Sequence, residues 1–264
     1  MLDRKREETE FHNLISSKEV LEDQNLFAYY YSNAKYYSIS EKSDASRKDW
    51  LQARCKGKSV LVLGCGNGAE SFYLAREGAN VIGIDLSDLC VENARKTALE
   101  QKLDNKARFL VMDAENMQFP DDSFDLVTAT GMLHHTDFEK VIREVARVLK
   151  PEGEIIGLEP LAYNPVIQLY RRLTPHLRTE WETEHIFARK ELDFAKPIFE
   201  KIEVRYFHLL TLFAVPFRKL KCFRQILSFL ETLDQILLSL PLVRWLAWQI
   251  VFSFKRPIKR KLCN

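Results

Sequence analysis

Residues 60–85 read VLVLGCGNGAESFYLAREGANVIGID. Four apolar residues run into glycines at Gly64, Gly66 and Gly68, a helix-patterned segment follows, and a second apolar run ends on Asp85. Glycines allow a tight turn and leave no Cβ between the backbone and a ligand. The helix that opens after them leaves amide N–H groups free for ligand oxygens. A carboxylate at the end of the next strand can accept hydrogen bonds from both hydroxyls of a ribose. The stretch therefore predicts a strand, a turn, a helix and a second strand that together hold a ribose-containing ligand. Its spacing also satisfies G-x-G-x-x-A, the dinucleotide version, so the turn alone leaves a nicotinamide cofactor open.

The pattern continues outward. SVLVLG and NVIGID read as buried strands and AESFYLAREG as a helix closed by Gly78. SDLCVENARKTALEQK reads as a helix with Ser87 as N-cap. ARFLVMD, SFDLVTAT and EIIGLE supply three more strands. Before the last of them, Phe138, Val141, Ile142, Val145, Val148 and Leu149 fall at helical spacing, with Pro151 and Gly153 as the stop. Strands alternating with helices imply βαβ units and a parallel sheet covered on both faces. Right-handed crossovers then give a doubly wound fold that binds ligands at the carboxyl ends of its strands.

The segment VMDAENMQFPDDSFDLVTATGMLHH narrows the ligand. Asp113, at the end of the third strand, can accept from an exocyclic adenine amine, and the Ala114 amide can serve a ring nitrogen. Here the chain resembles the class I S-adenosylmethionine-dependent methyltransferases. The matching stretches are VLVLGCGNG, VIGIDLS, MDAENMQFPDDSFDLV and VARVLKPEGEIIGLEP, in the family's order, over roughly residues 57–160. The resemblance implies an α/β, Rossmann-like fold with a doubly wound, mostly parallel seven-stranded sheet. Gly64, Cys65, Gly66 and Gly68 would border the methionine part of S-adenosyl-L-methionine. Asp85 would bind the ribose with Leu86 beside the adenine, and Asp113 and Ala114 would hold the adenine edge. Thr130 and Gly131 would lie near the methyl group. KIEVRYFHLLTL and WQIVFSFKRP would be the reversing strand and the antiparallel last strand, with 213–244 inserted between them. The expected organisation is an N-terminal helical cap (1–56), the cofactor-binding core (57–160), and lid insertions, last strands and a basic tail (161–264). One position departs from the family pattern. Val62 stands where an acid usually helps hold the cofactor's ammonium group.

Methyl transfer from a sulfonium needs a placed nucleophile, exclusion of water, and a base only where the nucleophile is poor. His134 and His135 follow the fourth strand and are the candidate bases. Glu180, Glu182, Glu184 and His185 form an acidic run that reads as a solvated helix face, so no metal site is expected; Glu159 and His185 are candidate substrate contacts. Tyr29, Tyr30, Tyr31, Tyr36 and Tyr37 read as packing, or as a lid over the cofactor. The resulting expectation is transfer of a methyl group to an oxygen, with a carbon or nitrogen left open, of a small or lipid-like metabolite. A nicotinamide-dependent oxidoreductase is the enzymatic rival, disfavoured because no Tyr-x-x-x-Lys pair follows the fourth strand. A non-catalytic cofactor-binding protein on a membrane is the other rival.

Composition adds the setting. The net charge of +2 hides an asymmetry: residues 160–264 hold 18 Lys and Arg against 9 Asp and Glu. Residues 222–254 are largely apolar, with a helix expected over 220–240 whose polar seam is Arg224, Ser228, Glu231 and Gln235. Trp245 and Trp248 then precede a basic tail. The combination fits either a lid helix or peripheral contact through 222–261 with an anionic membrane face. The basic residues form no phosphate-tracking stripe, so nucleic acid is not expected. Five scattered cysteines without a C-x-x-C pair fit a reducing cytoplasm. The charged N-terminus MLDRKREETE does not read as a secretory signal, and no run of 18 apolar residues suggests a spanning helix.

Overall fold

The first strand of the motif, β1 (Ser59–Leu63), is buried along almost its whole length and lies in the interior of a seven-stranded sheet, beside the central strand. The structure is a computed structural model that describes residues 2–259. β2 (Asn80–Asp85) and β3 (Ala107–Val111) lie on one side of β1, and β4 (Phe124–Thr130) and β5 (Leu149–Pro160) on the other, all parallel. β6 (Phe199–Phe207) and β7 (Gln249–Pro257) complete the order β3-β2-β1-β4-β5-β7-β6. β7 runs antiparallel to both neighbours, as the resemblance implies. The chain turns to opposite sides of β1 on leaving β1 and β3, so the crevice between β1 and β4 is the switch point where such sheets take ligands.

Helices cover both faces. The N-terminal region folds as α1 (Leu2–Ile15), α2 (Lys18–Glu22), α3 (Gln24–Tyr30) and α4 (Glu41–Gln52). The crossovers are α5 (Ala69–Arg76), α6 (Asp88–Glu100) and α7 (Phe138–Val148). Ser87 caps α6 as expected, accepting from the Cys90 amide, and Asp137 does the same for α7 through the Lys140 amide. α7 buries Val141, Ile142, Val145 and Val148 against the sheet. It ends one residue sooner than the spacing predicts. Leu149 already pairs with Phe124 across a bulge in β5, and Pro151 has no N–H with which to extend the helix.

After β5 come α8 (Pro165–Leu173), α9 (Glu180–Glu184) and α10 (Arg189–Ala195). The strand expected over 201–212 stops at Phe207. His208 takes a left-handed φ of 66°, and Asp234 of α11 (Phe223–Leu237) gathers the next turn by accepting from the Leu209, Leu210 and Thr211 amides. Burial pushes His208 down to about 3, so it is neutral where Nε2 meets the Ser43 hydroxyl.

The C-terminal expectations need three corrections. α11 buries Leu227 and Asp234, and Glu231 of the expected seam pairs with Lys42, while Phe229 and Ile236 face outward. Trp248 is buried and so is not an interfacial tryptophan, while Trp245 is half-buried, packing edge-on against Tyr163 and Tyr206. The first basic residues of the tail belong to the folded domain, Lys255 and Arg256 on β7 and Lys259 just after it. Lys255 pairs with Glu203, Arg256 with Glu200, and Lys259 with Asp122. Arg260, Lys261 and Cys263 lie outside the described residues.

Candidate functional site

The carboxyl ends of β1, β2 and β4 open into a cavity of about 290 Å³. Gly64, Gly66, Asp85, Leu86, Asp113, Ala114, Thr130 and Gly131 line it, so most of the expected cofactor contacts share one wall. Gly66 and Gly131 have φ of 48° and 60°, and a Cβ on either would meet no protein atom within 4 Å. Side chains there would project into open space, as expected of a cradle that a ligand fills. Asp85 is oriented by two backbone donors: Oδ2 accepts from the Gly66 amide at 2.8 Å and Oδ1 from the Ser87 amide at 2.9 Å. Each oxygen keeps a lone pair for a ribose hydroxyl. Cavity, cradle and carboxylates suit S-adenosyl-L-methionine.

Two expected contacts stand behind this wall. The Cys65 side chain is buried, 2.8 Å from where a Gly83 Cβ would be, and its amide donates to Ile84 O. Burial pushes its thiol well above the ordinary range. Gly68 is the left-handed N-cap of α5, tight against Phe72 and Phe109. Both shape the turn rather than touch the cavity. Val62 is likewise buried in the core.

The cavity roof is α1. Its residues Arg4, Lys5, Glu8 and His12 all line the space. Arg4 pairs with Glu115, and Lys5 reaches Asp113 Oδ2 at 2.5 Å and Glu115 Oε2 at 2.9 Å. The tyrosines belong elsewhere. Tyr30, Tyr31, Tyr36 and Tyr37 line a second cavity of about 480 Å³ with Tyr170, Ile167 and Trp248, while Tyr29 stacks on His176. His12, Thr130, Gly131 and His135 line both cavities, so the two adjoin there and a passage between them would run past these residues.

The two histidines are held differently. His134 is buried, and its Nδ1 lies 2.6 Å from Glu159 Oε2. Glu159 is wholly buried and also accepts from the Met132 and Leu133 amides. It pins the turn after β4 and is not a substrate contact, which corrects that expectation. His135 Nδ1 lies 2.9 Å from Glu8 Oε2, and Thr179 donates to the other Glu8 oxygen. Burial works to lower the His135 pKa. The Glu8 hydrogen bond and the nearby charges of Glu182, Glu8 and Glu159 outweigh it and hold the ring above its ordinary value. Glu8 mirrors this: burial raises it, but the bond to His135 and that ring's charge, with the Thr179 hydroxyl, bring it below the usual carboxylate range.

Of the acidic run, Glu180 and Glu184 are exposed as a solvated face, but Glu182 is buried beside Arg171 at 3.2 Å and Arg178 at 3.7 Å. His185 stacks on Trp181 and lies outside both cavities. Glu8–His12–His135 and His134–His135–Glu182 each bring ligand-type atoms within 4.8 Å. Their carboxylates are already matched by imidazole, hydroxyl or guanidinium partners, which suits a hydrogen-bonded network. Sequence reasoning missed Glu8 and His12 because the helical N-terminal cap carries no motif that ties it to the site. Their four-residue spacing, continued back to Arg4, puts all three on one helix face.

Residues 61–157 match a family model described as a methyltransferase domain. Among curated proteins, the uncharacterized methyltransferase YcgJ of Bacillus subtilis is 34% identical over 136 residues, 51% of this chain and 53% of that protein. The ubiquinone biosynthesis O-methyltransferase of Pseudomonas entomophila is 36% identical over 124 residues, 44% of this chain and 53% of that one. The chain spans about half the length of these curated relatives or less. The solved structure of geranyl diphosphate C-methyltransferase from Streptomyces coelicolor, in complex with S-adenosyl-L-homocysteine, superposes with a TM-score of 0.57 at 17% identity, over 82% of this chain and 79% of that chain. At that identity the likeness is one of fold.

Proposed function

We propose, from the match of residues 61–157 to a methyltransferase domain model and a fold of the class I S-adenosylmethionine-dependent kind, that the protein methylates a small lipophilic metabolite, at an oxygen. The observation that carries this reading is the junction of two cavities. One has the carboxylates and glycine cradle suited to the donor, the other is aromatic, and they meet at Thr130, Gly131 and His135. When bound, S-adenosyl-L-methionine supplies a methyl group already activated for displacement. Asp85 would hold its ribose, and Asp113 with the Ala114 amide would hold its adenine edge.

The remaining chemistry falls to the chain. The tyrosines, Ile167 and Trp248 strip water from the acceptor and orient it towards the passage. His135, at the junction, takes the proton of the acceptor hydroxyl, and Glu8 stabilises the imidazolium that results. Described thiols Cys55, Cys65, Cys90 and Cys222 are free, which supports work in a reducing cytoplasm; we propose the inner face of a membrane as its place there. Incubating the protein with methyl-tritiated S-adenosyl-L-methionine and a fractionated lysate tests the reading. Label should enter an organic-soluble small molecule. Label in no fraction, from protein that binds S-adenosyl-L-homocysteine, leaves a non-catalytic binder.

Lys5 makes a second prediction. It lines the cavity and donates to the Asp113 oxygen that the adenine amine would use, so it competes with the cofactor for that place. Exposed by about a quarter, the pair is worth at most about 1 kcal/mol after solvent screening. Lys5→Ala should tighten S-adenosyl-L-homocysteine up to about fivefold by calorimetry. Weaker binding instead would make Lys5 a ligand of the cofactor.

A further inference from the structure

Most of the large exposed apolar side chains fall in three stretches that contain no acidic residue: 161–179, 204–230 and 235–248. α8 has two faces. Tyr170, Arg171 and Ile167 line the aromatic cavity, while Val166, Leu169 and Leu173 form a stripe exposed on the other side. α11 repeats the arrangement. Leu227 packs with Leu212, Val215, Ile39, Ile167 and Trp248, whereas Phe229 and Ile236, two turns apart, and Leu240 just past the helix point outward, Phe229 with 64% exposure and Ile236 with 62%. Phe213, Phe217 and Leu220 are exposed on the segment packed against α11. Interleaved with them are exposed Arg172, Arg218, Lys219 and Lys221, and Arg224, which pairs with Glu41.

We infer that this face docks on an anionic lipid bilayer and that the acceptor enters the aromatic cavity from it. Soluble proteins rarely expose so much apolar surface without a partner. The formal charge on these stretches is of one sign, so a second copy presenting the same face would be repelled, whereas anionic headgroups attract the cations and the acyl region takes up the apolar side chains. No helix among the described residues is long or apolar enough to cross the membrane, which leaves surface contact. Ile167 and Trp248 belong both to the cluster beneath this face and to the cavity wall. A lipid-soluble acceptor would therefore pass through one layer of side chains, without crossing water. The inference deepens the reading of a lipophilic acceptor and rests on it for the route of entry.

Flotation of the full chain with vesicles tests the docking. Wild-type protein should float with phosphatidylcholine vesicles containing phosphatidylglycerol and not with phosphatidylcholine alone. Lys219→Glu with Lys221→Glu should weaken that binding by roughly thirtyfold or more, and Phe229→Ser with Ile236→Ser should remove it. S-adenosyl-L-homocysteine affinity should stay unchanged in both variants, because none of the four residues lines a cavity. Wild-type protein that ignores the anionic vesicles, or variants that float as well as wild type, would overturn the proposal. So would a dimer in solution that the serine variant dissociates. Failure of docking with cofactor affinity intact leaves the methyltransferase reading standing; loss of cofactor binding by the wild type would sink that reading instead.

Discussion

Asp85→Ala should bind S-adenosyl-L-homocysteine at least about a hundredfold more weakly than wild type. Hydrogen bonds to a charged group contribute about 1.5–3 kcal/mol each. The substitution removes the two that the ribose hydroxyls would make. It also releases the Gly66 and Ser87 amides, so the glycine turn loses the anchor that ties it to the end of β2. The loss should appear as a raised dissociation constant in calorimetry, with the circular dichroism spectrum unchanged and only a modest fall in Tm, since Asp85 sits at the cavity rim. Asp85→Asn keeps one acceptor oxygen and the side-chain shape, and should fall between the two. A folded Asp85→Ala protein with undiminished affinity would remove the basis for the whole assignment.

The part of this site that could be read in the sequence is the part built by local chain geometry. A glycine turn after an apolar run, an acid at the end of the next strand and another at the end of the third are short-range features, each tied to one strand end. Sheet topology then brings Gly66, Asp85 and Asp113 together without further information. The roof obeys no such rule. α1 is polar over most of its surface, so no apolar stripe announces where it packs. It is held to the site by ion pairs more than a hundred residues away in sequence, Arg4 to Glu115 and Lys5 to Asp113. Glu159 misled for a related reason. An acid ending β5 beside a cavity looks like a substrate contact until the backbone donors of Met132 and Leu133 are seen to point at it. Asp234 was hidden in the same way, as a polar residue on the buried side of an otherwise apolar helix face. Buried carboxylates that collect backbone amides are set by tertiary structure, and residue spacing carries no trace of them.

His135→Ala should lower kcat by about 10²–10⁴-fold on the acceptor that the labelling assay identifies, while S-adenosyl-L-homocysteine affinity changes little. The sign of the pH dependence follows from the charges. The base must be neutral to take a proton, and Glu8 and its acidic neighbours hold His135 above its ordinary value of 6.5. Wild-type kcat should therefore rise with pH through that elevated value, and the acid limb should vanish in His135→Ala. Glu8 is a positioning residue acting through His135. Glu8→Gln removes the charge and keeps the shape, so the acid limb should move to lower pH while the plateau falls far less than in His135→Ala. A purely structural Glu8 would leave the limb in place. Stability carries the opposite signature. The raised His135 pKa contributes stability that is complete below the unfolded value and is lost as pH rises through the folded one. The depressed Glu8 contributes above its unfolded value and loses that contribution as pH falls. Tm of the wild type, less that of Glu8→Gln, should thus be largest between the two titrations and shrink on either side. The chain is then most active on the alkaline side of the pH at which α1 is held most firmly, where the imidazole is free to accept a proton and the grip of Glu8 upon it has begun to loosen.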